Sequence, residues 1–277
     1  MYSKRKDEYM AKHKSNFPWQ GKIISHSQIG GIETSVLDNG TGRNVRIAWV
    51  NTGTPLRYKI VIDRALDIAD AFYAQHSLAW LSHSGITFPR PDCDHDLEWL
   101  YTFPGGLLTT CGLSHIGGPE NDQFGQRGLH GKISNSLVEI ESVIQPDPLS
   151  GKLDMSITGI IKESRVFGPN LELRRTISGR LGTAEITISD KVTNRGNASA
   201  PHMILYHCNF GWPLIDEGTK IIYKGICKSR GNKLDDEIFN NRNNYKICRK
   251  PLESHRGCGE ACGFIDVKPD SGNVCVV

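Results

Sequence analysis

Side chains that alternate between apolar and polar recur along this chain in short runs, and that period constrains the fold more than any other feature. In AEITISDKVTN, Ala184, Ile186 and Ile188 stand on one side while Glu185, Thr187 and Ser189 stand on the other. DMSITGII, LELRRTIS, VEIESVI, TKIIYKGI and RNVRIAWV share the period. A strand turns successive side chains to opposite faces, so each run reads as a strand with one buried and one wet face. Turn-forming clusters separate the runs: DNGTG at 38–42, QPDPLSG at 145–151, NRGN at 194–197 and DEG at 216–218. Two-faced strands at such spacing build antiparallel sheets, and the expected fold is all-β, one large antiparallel β-sandwich. Helical pattern is confined to SKRKDEYMAKH and DHDLEWLY. The polar, Asn-rich stretch NKLDDEIFNNRNNYK, 232–246, reads as a long loop on the sandwich.

At 277 residues a single β-domain can bury a sizeable core, here expected over 21–277. It follows a polar basic leader, 1–20, in which Lys4, Arg5, Lys6, Lys12 and Lys14 crowd together. A formal charge of +3 is too small to indicate nucleic acid, and no aromatic-basic stripe supports that partner. No apolar run approaches the ~20 residues of a membrane span. No apolar stretch of a secretory signal follows the basic start. The eight cysteines lack framework spacing, which together with the missing signal favours reduced thiols and a cytoplasmic location. The sequence does not encode an oligomeric state.

Four segments resist the strand-and-turn reading. IDRALDIADAFY sets Arg64, Asp67 and Asp70 among apolar neighbours, and FPGGLLTTCGLSHIGGP, 103–119, flanks Thr109, Thr110 and Cys111 with glycines. GLHGKIS holds His130 between glycines, and LYHCNFGWPL ends a strand-like run on His207, Cys208 and Asn209. Glycine-flanked polar side chains suit a site where backbone and ligand approach closely, though a run of tight turns reads the same way. A lone strand histidine is more often a hydrogen-bonded structural residue than a catalyst. His202, His207 and Cys208 have poor chelating geometry on a strand. His255, Cys258 and Cys262 in SHRGCGEAC offer three corners of a zinc site with unorthodox spacing. Cys111 or Cys208 as a nucleophile would need a depressed thiol pKa, for which no local feature argues.

Taken in order, FPGGLLTTCGLSHIGGP, LHGKIS and ISDKVTNRGNASAPHMILYHCNFGWPL resemble the aldose 1-epimerase-like proteins of the galactose mutarotase superfamily, in particular a bacterial branch. The resemblance spans roughly residues 55 to 220. It implies a galactose mutarotase-like supersandwich, a small-molecule sugar as partner, and neither metal nor organic cofactor. His207 and His130 are the implied catalytic pair, and Arg64, Asp67, Thr109, Thr110 and Asn209 the candidate sugar-binding groups. The implied reaction interconverts sugar anomers: one proton goes to the ring oxygen, another leaves the anomeric hydroxyl, and the ring opens and recloses. Histidine, with an ordinary pKa of about 6.5, can give and regain a proton near neutrality. A non-catalytic carbohydrate-binding or sugar-sensing protein on the same fold is the alternative; a zinc or thiol enzyme is a third. In the family the base is a late glutamate in a Gly-Leu-Glu-Pro-like context, which this sequence lacks; Glu253 and Glu260 have other neighbours. The chain also stops at GNVCVV, a strand-like run. The expectation is a chain truncated at its C-terminus, without the base and without the strands that complete the sandwich.

Overall fold

The computed structural model describes Trp19 and residues 21–240, 245–257 and 259–267. Apart from Trp19, the basic leader, with the stretch expected to be helical, lies outside these residues, as do GNVCVV and Cys258. The chain forms two compact units, one ending at Phe210 and one running from Gly211.

In the first unit the alternating runs become strands. β1 (Gly31–Val36), β2 (Arg46–Asn51), β3 (Leu56–Val61) and β4 (Asp67–Tyr73) lead to the two-residue β5 (His76–Ser77) and to β6 (Leu108–Leu113). A small hairpin follows, β7 (Glu120–Asp122) with β8 (Gly125–Arg127). Next come β9 (Val138–Ile144), β10 (Asp154–Ser164), β11 (Asn170–Arg180) and β12 (Thr187–Asn194), then β13 (Met203–Cys208). A seven-stranded sheet has the order β1-β2-β3-β4-β6-β13, with β5 on β4; a four-stranded sheet has the order β12-β11-β10-β9. The named pairings are antiparallel. The fold is an all-β antiparallel sandwich.

One apolar cluster joins the two sheets. Val50, Tyr58, Ile60 and Ile68 of the first meet Met155, Ile157, Ile161, Leu173 and Ile177 of the second. Period-two burial along β10 produces this: Met155, Ile157 and Ile161 point inward, and so does Glu163. Its carboxylate stays between the sheets by accepting from the backbone N–H of Leu113 at 2.7 Å and of Ser114 at 3.3 Å, and from the Ser114 hydroxyl. Arg175, fully buried, is the second polar tie. It faces Asp190 across the β11–β12 ladder and bonds it at 2.9 and 2.7 Å. It then reaches over to the seven-stranded sheet, to Ala65 O at 3.0 Å, Asp67 at 3.2 Å and Thr110 Oγ1 at 2.6 Å. A buried charge survives only with such partners.

Two expectations need correcting, both in the second unit. The stretch expected as a loop at 232–246 begins with a helix, α1 (Lys233–Ile238). Asn232 and Asp235 close a reciprocal capping box at 2.8 and 3.2 Å, a start signal that polar composition obscures. Asp235 is fully buried and held twice by Arg230, which fixes the helix to the segment that precedes it. The alternating run TKIIYKGI yields a strand only from Gly225: β14 (Gly225–Ser229) pairs with β15 (Gly263–Val267). Upstream of it, Lys220 makes a single bridge to Ile247. No helix among the described residues is long and apolar enough to cross a membrane.

Candidate active site

β13 lies beside β6 with His207 opposite Thr109 and Tyr206 opposite Thr110. Alternation then sorts these four residues. Tyr206 donates to Asp190 of the other sheet at 2.8 Å and Thr110 joins the Arg175 network, so both face inward. His207 and Thr109 therefore turn to the opposite face of the seven-stranded sheet. His130 reaches that face from the turn after β8. The turn needs left-handed backbone, with φ of 60° at His130 and 68° at Gly131. A Cβ on Gly131 would sit 2.7 Å from the carbonyl oxygens of both Gly112 and His115, so only glycine lets the turn press against the end of β6.

The two imidazoles meet edge-on, ring centres 5.9 Å apart and planes at 74°. Trp99 lies 5.0 Å from His130 and 6.2 Å from His207. Phe103 stacks on Trp99 at 4.3 Å and approaches His207 edge-on at 5.2 Å. Trp80 extends this wall, 5.9 Å from Phe103, and is 45% exposed. Both histidines are half-buried. The Gly117 N–H donates to His130 Nδ1 at 3.2 Å, so the neutral ring carries its proton on Nε2. The turn thereby sets the tautomer and orientation of His130.

The other singled-out residues are built into the scaffold around this pair. Arg64, 2% exposed, donates to Ser134 O, to Thr87 Oγ1 at 2.8 Å and to Thr102 O at 3.0 Å. Burial lowers its pKa to about 10, with Asp67 opposing that shift. Its partners carry the aromatic wall: Thr102 adjoins Phe103, and the Ser134 hydroxyl accepts from the Trp99 indole at 3.1 Å. Asp67 accepts from Thr110 N at 3.0 Å and Thr110 Oγ1 at 2.6 Å, between the sheets with Arg175. Burial pushes Asp67 up to about 6, against the pull of Arg175 and Thr110. Thr109 shares the face of His207, and its hydroxyl donates to Gly105 O at 2.6 Å. Asn209 Nδ2 donates to Gly106 O and His207 O at 2.9 and 3.0 Å, closing the end of β13.

The thiols are poorly disposed to act as nucleophiles. Burial drives the pKa of fully enclosed Cys111 far upward and that of Cys208 in the same direction. Within the second unit Glu253 pairs with Arg256 at 3.1 Å and Glu260 with Arg230 at 3.3 Å. Among the described residues no group of three His, Cys, Asp or Glu side chains could hold a metal; the set with Cys258 falls outside them.

Reading the sequence missed the wall of Trp80, Trp99 and Phe103. The usable signal was EWLYTF immediately before the glycine-rich stretch, which reads as a short helix. A 3-10 turn does form there, Glu98–Tyr101, and it buries Trp99.

The family described as a domain of unknown function, DUF4432, matches residues 42–277. The chain belongs to the DUF4432 family. No curated protein matches this DUF4432 chain. Among solved structures it is similar to a candidate aldose 1-epimerase from Klebsiella pneumoniae, with a TM-score of 0.61 and 24% identity. That match covers 70% of this chain and 51% of the other, so the chain spans about half the length of the structure it matches. At this identity the likeness shows the fold: an aldose 1-epimerase-like sandwich.

Proposed function

We propose that this DUF4432 protein binds a small sugar and interconverts its anomers by acid–base ring opening. The observation that carries the reading is the His130–His207 pair, 5.9 Å apart against an aromatic wall on one face of the sheet. Aromatic faces pack on the C–H faces of sugars, and two imidazoles at this spacing suit two neighbouring oxygens of one ring. His207 has the acid's role: its imidazolium gives a proton to the ring oxygen as the bond from that oxygen to the anomeric carbon breaks. The anomeric hydroxyl loses its proton to a solvent water, leaving the open-chain aldehyde. Rotation and reclosure return the protons. His130, oriented by the Gly117 N–H at its Nδ1, holds a sugar oxygen rather than cycling.

The second reading is a carbohydrate-binding protein without turnover. What favours it is that Glu253 and Glu260, the late glutamates, are already ion-paired within their own unit. NMR exchange spectroscopy of anomers across hexoses, pentoses, uronic acids, and deoxy and sulfonated sugars separates the two. Exchange above the solvent rate supports the first, and saturable binding without exchange supports the second. Neither effect with any sugar overturns both.

A further inference from the structure

His115 is 4% exposed and takes no part in the proposed reaction, yet its ring closes the segment that touches His130. The segment leaves the end of β6 and reaches β7 at Glu120. It is gripped at its start, where Glu163 holds Leu113 and Ser114, and Arg127 donates to the Ser114 hydroxyl at 3.3 Å. Its middle, Gly117 and Gly118, has no side chains to pack. A Cβ on either glycine would meet no atom within 4 Å beyond its chain neighbours, so packing does not fix this backbone. His115 does the fixing. Its Nε2 lies 2.9 Å from Gly118 O, and because a carbonyl oxygen only accepts, that nitrogen carries a proton. Its Nδ1 lies 3.1 Å from the Glu120 carboxylate, which orients the ring from the other side. Gly117, held between these contacts, meets His130 twice. Its N–H donates to Nδ1 at 3.2 Å, and its carbonyl accepts from the His130 backbone N–H at 2.9 Å.

We propose that His115 is a positioning residue for His130. Tied to Gly118 O and turned by Glu120, it sets where the Gly117 N–H points, and hence how His130 is turned and which nitrogen bears its proton. Ordering two glycines beforehand also spares sugar binding that cost in entropy. The effect on the sugar rests on the anomer-exchange reading; the effect on the imidazole does not. A side chain that only stabilised the fold would leave the His130 ring of the folded protein unchanged.

Long-range proton–nitrogen NMR correlation on the full chain at about pH 8.5, above the ordinary histidine range, reads the His130 ring. Its signals are assigned by their loss in His130→Gln. The wild type should show one bare nitrogen and one N–H. His115→Asn, whose amide stands near the position of Nδ1, gives up Gly118 O and should draw the two signals toward their mean. His115→Gln, whose amide reaches the position of Nε2, should restore the separation. With any sugar that exchanges, His115→Asn should raise KM about fivefold, the worth of one neutral hydrogen bond, with kcat changed by less than about twofold. Adding it to His130→Gln should change KM little more, because the two act through one contact. Glu120→Ala, at an exposed side chain, serves if the Asn variant does not fold, and should shift the same signals part of the way. Wild-type ring signals in His115→Asn, or in Glu120→Ala where it stands in, overturn the proposal. So do averaged signals in the wild type, or additive effects on KM. If no sugar exchanges, the anomer-exchange reading fails alone, and the ring signals still decide the role of His115.

Discussion

At the scale of single residues, the proposed reaction gives the two histidines different duties. His207→Asn should lower anomer exchange by roughly 100-fold or more, the usual worth of a positioned acid. His130→Gln keeps a donor and should act mainly on KM. Near-normal exchange in the His207 variant, measured by NMR, would move the acid elsewhere. Gly131 tests the turn that presents His130. Gly131→Ala adds a methyl group 2.7 Å from two carbonyl oxygens at φ 68°, whereas Gly151→Ala has similar backbone, φ 73°, in open space. Both lose roughly 1 kcal/mol to backbone strain, and the Gly131 variant should lose clearly more. Equal urea midpoints would mean that the close approach is not needed.

At the scale of elements, Arg64 acts as a clasp between loops. Its guanidinium gathers the carbonyl oxygens of Ser134 and Thr102 and the Thr87 hydroxyl, the segments that support Trp99 and Phe103. Arg64→Met leaves these carbonyls buried without a donor, each at about 1–3 kcal/mol. The expected result is a looser wall: weaker near-ultraviolet circular dichroism from Trp99, a raised KM and a smaller change in kcat. Arg64→Lys, with one donor group instead of a fork, should recover only part. An Arg64→Met protein with unchanged aromatic spectra and raised KM would instead put the guanidinium on the sugar. The motif order was legible because each motif is local. The sharing of donors between residues 64, 87, 102 and 134 is not local, and nothing in IDRALDIADAFY says that Arg64 will be consumed by backbone oxygens.

At the scale of the molecule, the apolar cluster and the Arg175 network hold the two sheets together. Arg175→Met strands Asp67 and Asp190 in the interior, and breaking a buried pair in this way loses about 3–5 kcal/mol. The network also has a pH signature. Asp67 is an acid whose folded pKa, about 6, lies above its ordinary value of 3.8, so the folded state holds that proton more tightly. Its contribution to stability is therefore present at low pH and is lost as pH rises from about 4 through about 6. The difference in unfolding free energy between wild type and Asp67→Asn should fall across that window and be flat above it. A difference that rises with pH would show that Arg175 dominates the burial of Asp67.

What the sequence determined was the period. Alternation in runs such as VEIESVI and LELRRTIS requires one wet and one buried face, and turn chemistry between the runs requires antiparallel neighbours, so the sandwich follows from local rules. The same rules placed His207 at a strand end and His130 between glycines. They could not tell Thr109 from Thr110. Adjacent threonines look alike in sequence, yet the register of β6 against β13 sends Thr110 inward to Arg175 and leaves Thr109 on the face of His207. Nor could they bring Trp99 beneath both imidazoles, or hold Asp67 between the sheets. Those placements depend on which strands become neighbours and on which buried charges find partners. Such long-range pairings are decided by the tertiary structure alone, because the free energy of a buried side chain depends on groups far away in the chain.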